Sequence, residues 1–126
     1  MKSAKLSREL PGHRRKYGNQ KVEIDGYNFD SKKEGGRYLE LKLLARAKKI
    51  TKLMLQPVFT LQDAFVDREG KTHKRITYHA DFSYTDDSGH TVVEDVKSEA
   101  TAKDKVYVIK KKLFLKRYPE YVFREV

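Results

Sequence analysis

The chain has 126 residues, no cysteine and a net charge of +10 at neutral pH. That length suits one domain burying roughly two-thirds of its unfolded surface, and the absence of cysteine excludes disulfide staples and thiolate metal sites. His13, His73, His79 and His90 lack zinc-ligand spacing, and no apolar run approaches the ~20 residues of a membrane span or forms a signal-peptide core.

A soluble, cytoplasmic protein is therefore expected. Its charge is unevenly spread. Residues 1–21 carry seven Lys or Arg against Glu9, and residues 103–117 carry seven against Asp104, which leaves the remaining body mildly acidic. Two basic segments on an acidic body point to a polyanionic partner. A charge serving solubility alone would need no clustering.

Residues 1–16 are polar and basic around Pro11-Gly12 and read as a flexible arm, with Arg14, Arg15 and Lys16 as candidate phosphate contacts. The domain proper is expected from residue 17. Tyr17 to Phe29 reads as a small hairpin closing at Asp25-Gly26. Ser31 opens a helix reaching about Lys49, and Ser31-Lys-Lys-Glu34 fits a capping box. Glu34 also heads the stripe Glu34, Tyr38, Leu41, Ala45, flanked by Arg37 and Leu44, that packs on the sheet. It is thus either a cap or a site carboxylate. Gly35-Gly36 costs this helix roughly 1.5–2 kcal/mol relative to alanines, a sign that something approaches the backbone there.

Leu53 to Leu61 reads as a strand that Pro57 places at an edge, a bulge or a bend; Gln56 is a candidate polar site group or a plain surface residue. Arg75 to Tyr84 is the next strand, with Tyr78, Ala80, Phe82 and Tyr84 on one face and His79, Asp81 and Ser83 on the other. A turn at Asp86-Asp87-Ser88-Gly89 leads into the strand with Glu94-Asp95-Val96-Lys97. Thr101 to Tyr118 is expected as one helix with the inner stripe Ala102, Val106, Ile109, Leu113, bordered by Lys103 and Lys110. Tyr121 to Glu125 is a final strand.

The chemistry concentrates on two of these strands. Side chains alternate along a strand, so Asp95 and Lys97 share a face roughly 6–7 Å apart while Glu94 faces away. The antiparallel hairpin folds Asp81 back toward Asp95. Two carboxylates and an ammonium on one face are what a hard divalent cation and an activated water require. A solvated Asp-x-Lys ion pair worth under ~1 kcal/mol is the commoner meaning of that spacing. Val92, Val93 and Val96 nevertheless make this strand apolar on both faces, and charges on an interior strand are costly unless paired or metal-bound.

The elements after the hairpin run helix, strand, strand, strand, helix, strand: an α+β arrangement with helices flanking a central mixed sheet. With Glu34, Asp81 and Asp95-Val96-Lys97 placed on it, this αβββαβ order resembles the restriction-endonuclease-like PD-(D/E)XK nuclease superfamily. Lys16-Tyr-Gly-Asn19, Phe29-Asp-Ser-Lys-Lys-Glu34, Leu55-Gln-Pro57, Ala80-Asp-Phe82 and Val93-Glu-Asp-Val-Lys97 are similar, more narrowly, to small phage-encoded nuclease-like proteins. Ala80 stands where that superfamily often has proline.

The resemblance implies Asp81, Asp95 and the Val96 carbonyl as ligands of Mg²⁺, with Mn²⁺ able to substitute. Glu34 would complete the site directly or through water, and Lys97 would orient or deprotonate the attacking water. It further implies an endonuclease leaving 5′-phosphate and 3′-hydroxyl ends, acting as a homodimer on DNA, branched DNA such as a Holliday junction included. Arg37, Gln56, Lys103 and Lys110 join Arg14, Arg15 and Lys16 as candidate DNA contacts. The alternatives are a non-catalytic nucleic-acid-binding module and an accessory protein of packaging or replication.

Overall fold

The structure is a computed structural model describing residues 20–126. The basic arm, with Arg14, Arg15 and Lys16, and the start of the first hairpin lie outside the described residues. Asp25 and Gly26, at φ 55° and 82°, close the expected turn between β1 (Val22–Ile24) and β2 (Tyr27–Phe29).

Helix α1 (Lys32–Arg46) starts where Ser31 Oγ accepts the Glu34 amide at 3.1 Å, and its buried face is Glu34, Gly35, Tyr38 and Leu41, as the sequence periodicity requires. The glycine pair divides its work. A Cβ on Gly35 would lie 2.8 Å from Val22 Cγ2 and 3.0 Å from Ile24 Cδ1, so Gly35 is what lets the hairpin close on α1. A Cβ on Gly36 would meet nothing within 4 Å. Gly36→Ala is therefore expected to stabilise the protein by about 1 kcal/mol. Gly35→Ala should give no gain, because overpacking offsets the helix propensity. Urea titrations of the two variants check this.

The chain continues through β3 (Thr51–Leu55), β4 (Val58–Gln62), a short hairpin of β5 (Phe65–Val66) and β6 (Thr72–His73), then β7 (Ile76–His79), β8 (Phe82–Thr85) and β9 (Thr91–Asp95). Helices α2 (Glu99–Ala102) and α3 (Lys105–Arg117) lead to β10 (Val122–Glu125). The central sheet has the order β10-β9-β8-β3, with β10 parallel to β9 and the other pairs antiparallel: a mixed sheet in an α+β protein. β4 pairs with β7, and β5 with β6, outside it. Among the described residues, no helix is long and apolar enough to cross a membrane.

Three expectations need correction. The strands expected at Leu53–Leu61 and Arg75–Tyr84 are each broken, at Gln56-Pro57 and at Ala80-Asp81. Gln56 takes φ 52°, and Pro57 has no amide to donate. The Ala80 amide bonds the Pro57 carbonyl at 3.1 Å, whereas the Asp81 amide bonds that of Glu94 at 3.0 Å, so the chain changes pairing partner between adjacent residues. Tyr78 and Ala80 consequently bury in one core and Phe82 and Tyr84 in another, rather than sharing a face.

The helix expected at Thr101–Tyr118 is two helices, interrupted where Asp104 leaves helical geometry to cap α3 through the Tyr107 amide. Lys103 and Lys110 therefore do not lie along one continuous helix. The inner face of α3 is Tyr107 and Phe114, whereas Val106, Ile109 and Leu113 are exposed.

The two cores flank β9. Val92 joins Phe29, Tyr38, Leu41, Ile50, Phe82 and Tyr84 on the α1 side; Val93 joins Leu61, Tyr78, Ala80, Tyr107 and Phe114 on the α3 side. Phe114 anchors the second core, with ring centroids of Phe59, Tyr118 and Tyr78 at 5.0, 5.2 and 5.4 Å. Such aromatic pairs add about 0.5–1.5 kcal/mol each beyond area burial.

Candidate active site

The alternation that sends Val92 and Val93 to opposite cores continues through Glu94 and Asp95. Glu94 points to the α1 side, fully buried. Arg37 holds it from two nitrogens, Nε to Oε1 at 2.8 Å and Nη2 to Oε2 at 2.6 Å, and the Tyr84 hydroxyl donates at 2.5 Å. Arg37, a candidate DNA contact by sequence, is thus committed to Glu94, with Glu40 also 2.8 Å from Nη1.

Asp95 points to the α3 side and is also buried. Its Oδ1 lies 3.2 Å from Lys97 Nζ, and its Oδ2 accepts the Tyr78 hydroxyl. Backbone bonds fix this segment against the end of β10. The Val126 amide donates to the Asp95 carbonyl at 2.9 Å, and the Lys97 amide to the Val126 carbonyl at 3.1 Å.

The break before β8 places Asp81 at the end of the sheet. Its Oδ2 accepts the Val96 amide at 2.7 Å, and its carboxyl is close enough to Glu34 and Asp95 for their charges to act on it. Glu34 comes from the first turn of α1, and its Oε1 accepts the Asp30 amide at 3.3 Å. Ser31 Oγ, rather than a reciprocal capping box, carries the cap, which leaves the Glu34 carboxylate directed to the sheet end. Glu34, Asp81, Val96 and Lys97 line an open cleft of about 590 Å³ together with Lys32, Lys33, Ser98 and Thr101. Asp95 is buried and is not part of that lining. Lys33 Nζ crosses the cleft to the Lys97 carbonyl at 2.7 Å.

Crowded carboxylates hold protons. Burial pushes Glu34 up to about 7, assisted by the charges of Asp30 and Asp95 and opposed by hydrogen bonds from the Asp30 amide and Asp81. Burial first, then the charges of Glu34 and Asp95, raise Asp81 well above the usual carboxylate range. Groups whose folded pKa is raised bind protons that the unfolded chain releases, so stability falls as pH rises through that interval. Without divalent cations, the melting temperature is therefore expected to fall between about pH 4.5 and 7. Glu34→Gln should flatten the decline, removing up to about 3 kcal/mol of pH-dependent destabilisation. Calorimetry across that pH range reads both.

The donor set is chemically suited to a hard divalent cation, since its groups are carboxylate and carbonyl oxygens, and a cation's charge would favour their ionised form. Among the described residues, no three His, Cys, Asp or Glu side chains stand as a ready-made metal cage. Asp95 faces Tyr78 and Lys97, so it would have to exchange a partner to become a ligand.

The remaining candidates lie apart from the cleft lining. Gln56 is exposed at the bend, where its backbone N–H donates to the Asp81 carbonyl at 2.8 Å. Lys103 ends α2, 3.8 Å from Glu99, and Lys110 is half-buried on α3. Sequence reasoning missed Tyr78, Tyr107, Asp30 and Lys33. Only Tyr107 left a signal, through its seven-residue spacing to Phe114.

No curated protein and no solved structure matches the chain. The family model described as "Protein of unknown function (DUF1064)" matches residues 14–125, and the chain belongs to that family.

Proposed function

We propose that this protein is a metal-dependent DNA endonuclease of the PD-(D/E)XK type, selective for branched DNA such as Holliday junctions and acting as a homodimer in phage recombination or replication. The observation that carries the reading is that Glu34, Asp81, Val96 and Lys97 line one cleft, with Asp95 paired to that lysine. The chain order α1, β3, β8, β9, α3, β10 through one mixed sheet supports it.

Asp81, Asp95 and the Val96 carbonyl would hold Mg²⁺ or Mn²⁺, with Glu34 completing the set. The ion would supply charge stabilisation of the phosphoryl oxygens and a water acidic enough to attack at neutral pH. Lys97, the ammonium nearest Asp95, orients the attacking water and offsets negative charge developing on the phosphate. Lys32 and Lys33, which line the same cleft, attract the phosphodiester backbone toward the carboxylates.

One observation favours a second reading, a nucleic-acid-binding module without catalysis: both carboxylate oxygens of Asp95 already have protein partners. A cleavage panel with and without Mg²⁺ on linear duplex, single-stranded, flapped and four-way DNA decides between them. Mg²⁺-dependent products ending in 5′-phosphate support the nuclease. Binding with every form left intact supports the module.

A further inference from the structure

We infer that Tyr107 is the positioning residue for the Lys97 ammonium. The strand end at Asp95 delivers Lys97 to the α3 side of the sheet, and Lys97 Nζ lies 4.3 Å from the centroid of the Tyr107 ring. The same nitrogen is 3.2 Å from Asp95 Oδ1. The ammonium is thus held between an aromatic face and a carboxylate. A free lysine would sweep a wide arc on its four-carbon stem, whereas this side chain is 22% exposed.

The ring is itself tethered at two points. The Tyr107 amide donates to Asp104 Oδ2 at 3.1 Å, and its hydroxyl donates to Glu125 Oε2 at 2.5 Å. Lys111 Nζ lies 3.0 Å from that glutamate oxygen. Glu125 stands on β10 in register with Asp95 on β9. Helix α3 and β10 therefore set the plane of the ring relative to the strand that carries Lys97.

Attraction between a cation and a ring face does not require the Asp95 charge. When Asp95 turns an oxygen to a divalent cation, Tyr107 keeps the ammonium at the carboxylate cluster rather than releasing it to solvent. The effect on cleavage rests on the nuclease reading; the placement of the ammonium does not.

The test uses the full chain with ¹³C-labelled lysine, as wild type, Tyr107→Phe and Tyr107→Leu. Lys97 side-chain methylene protons should be shifted upfield by the ring in wild type and in Tyr107→Phe, and should return to ordinary lysine values in Tyr107→Leu. On the substrate that wild type cleaves best, Tyr107→Leu should lower kcat about tenfold, with KM and Ca²⁺ affinity little changed, while Tyr107→Phe keeps most of the rate. If Tyr107→Leu does not fold, Tyr107→Met replaces it with the same expectation. Unshifted Lys97 methylenes in folded wild type, or a wild-type kcat in Tyr107→Leu, would overturn the inference. So would equal losses in the Phe and Leu variants, which would assign the effect to the hydroxyl. An inactive wild type with a ring-shifted Lys97 upholds the placement and retires the nuclease reading.

Discussion

On the nuclease reading proposed above, replacing Asp95 with Asn is expected to reduce Mg²⁺-dependent cleavage by more than about a thousandfold, because the cation would lose an anionic ligand worth several kcal/mol of charge stabilisation. Asp81→Asn should act similarly. The two replacements differ in what they do to the fold. An amide oxygen at position 95 still accepts the Tyr78 hydroxyl but forfeits the ion pair with Lys97. At position 81 the substitution removes the cost of burying a charged carboxylate and its repulsion with Glu34 and Asp95, so metal-free Asp81→Asn should melt higher than wild type at pH 8. DNA binding in Ca²⁺ should survive in both. Cleavage retained by purified Asp95→Asn would remove the metal assignment.

Arg37→Ala should produce the largest stability loss, about 3–5 kcal/mol, with metal affinity preserved. It strands the carboxylate of Glu94, fully buried, with the Tyr84 hydroxyl as its remaining side-chain partner among the described residues. Glu94→Gln should cost less, because the amide keeps an oxygen for Tyr84 and Arg37 keeps Glu40. Replacing Arg37 and Glu94 together by methionine should recover much of the loss, since a buried ion pair contributes little net stability over well-packed apolar groups. Urea denaturation of the three variants gives the ranking. An Arg37→Ala protein of unchanged stability but weakened DNA binding would restore the phosphate contact expected from sequence.

The same pair explains why Glu94 and Asp95 have different work. Alternation along β9 already separates them, and the structure sends Glu94 to Arg37 and Asp95 to Lys97. What alternation does not supply is the identity of Arg37 as the partner, 57 positions away in sequence. A basic residue bordering a helix stripe reads equally well as a phosphate contact until the facing strand is in place.

Local rules sufficed where the deciding atoms are close in sequence. The Asp25-Gly26 turn, the Ser31 cap, the buried stripe of α1 and the parity of β9 follow from left-handed turn preferences, one side-chain-to-amide bond and fixed side-chain periods. Tertiary structure decided the rest. The breaks at Gln56-Pro57 and Ala80-Asp81 exist because each strand changes partner there, and that change carries Asp81 to the end of the sheet beside Glu34. Helix α3 offers two apolar stripes, aliphatic through Val106, Ile109 and Leu113, and aromatic through Tyr107 and Phe114. Their spacings are equally helical, so periodicity cannot rank them. The aromatic stripe is buried because Phe59, Tyr78 and Phe123 lie opposite it and can stack against Phe114, a complementarity between segments that meet only in the folded chain.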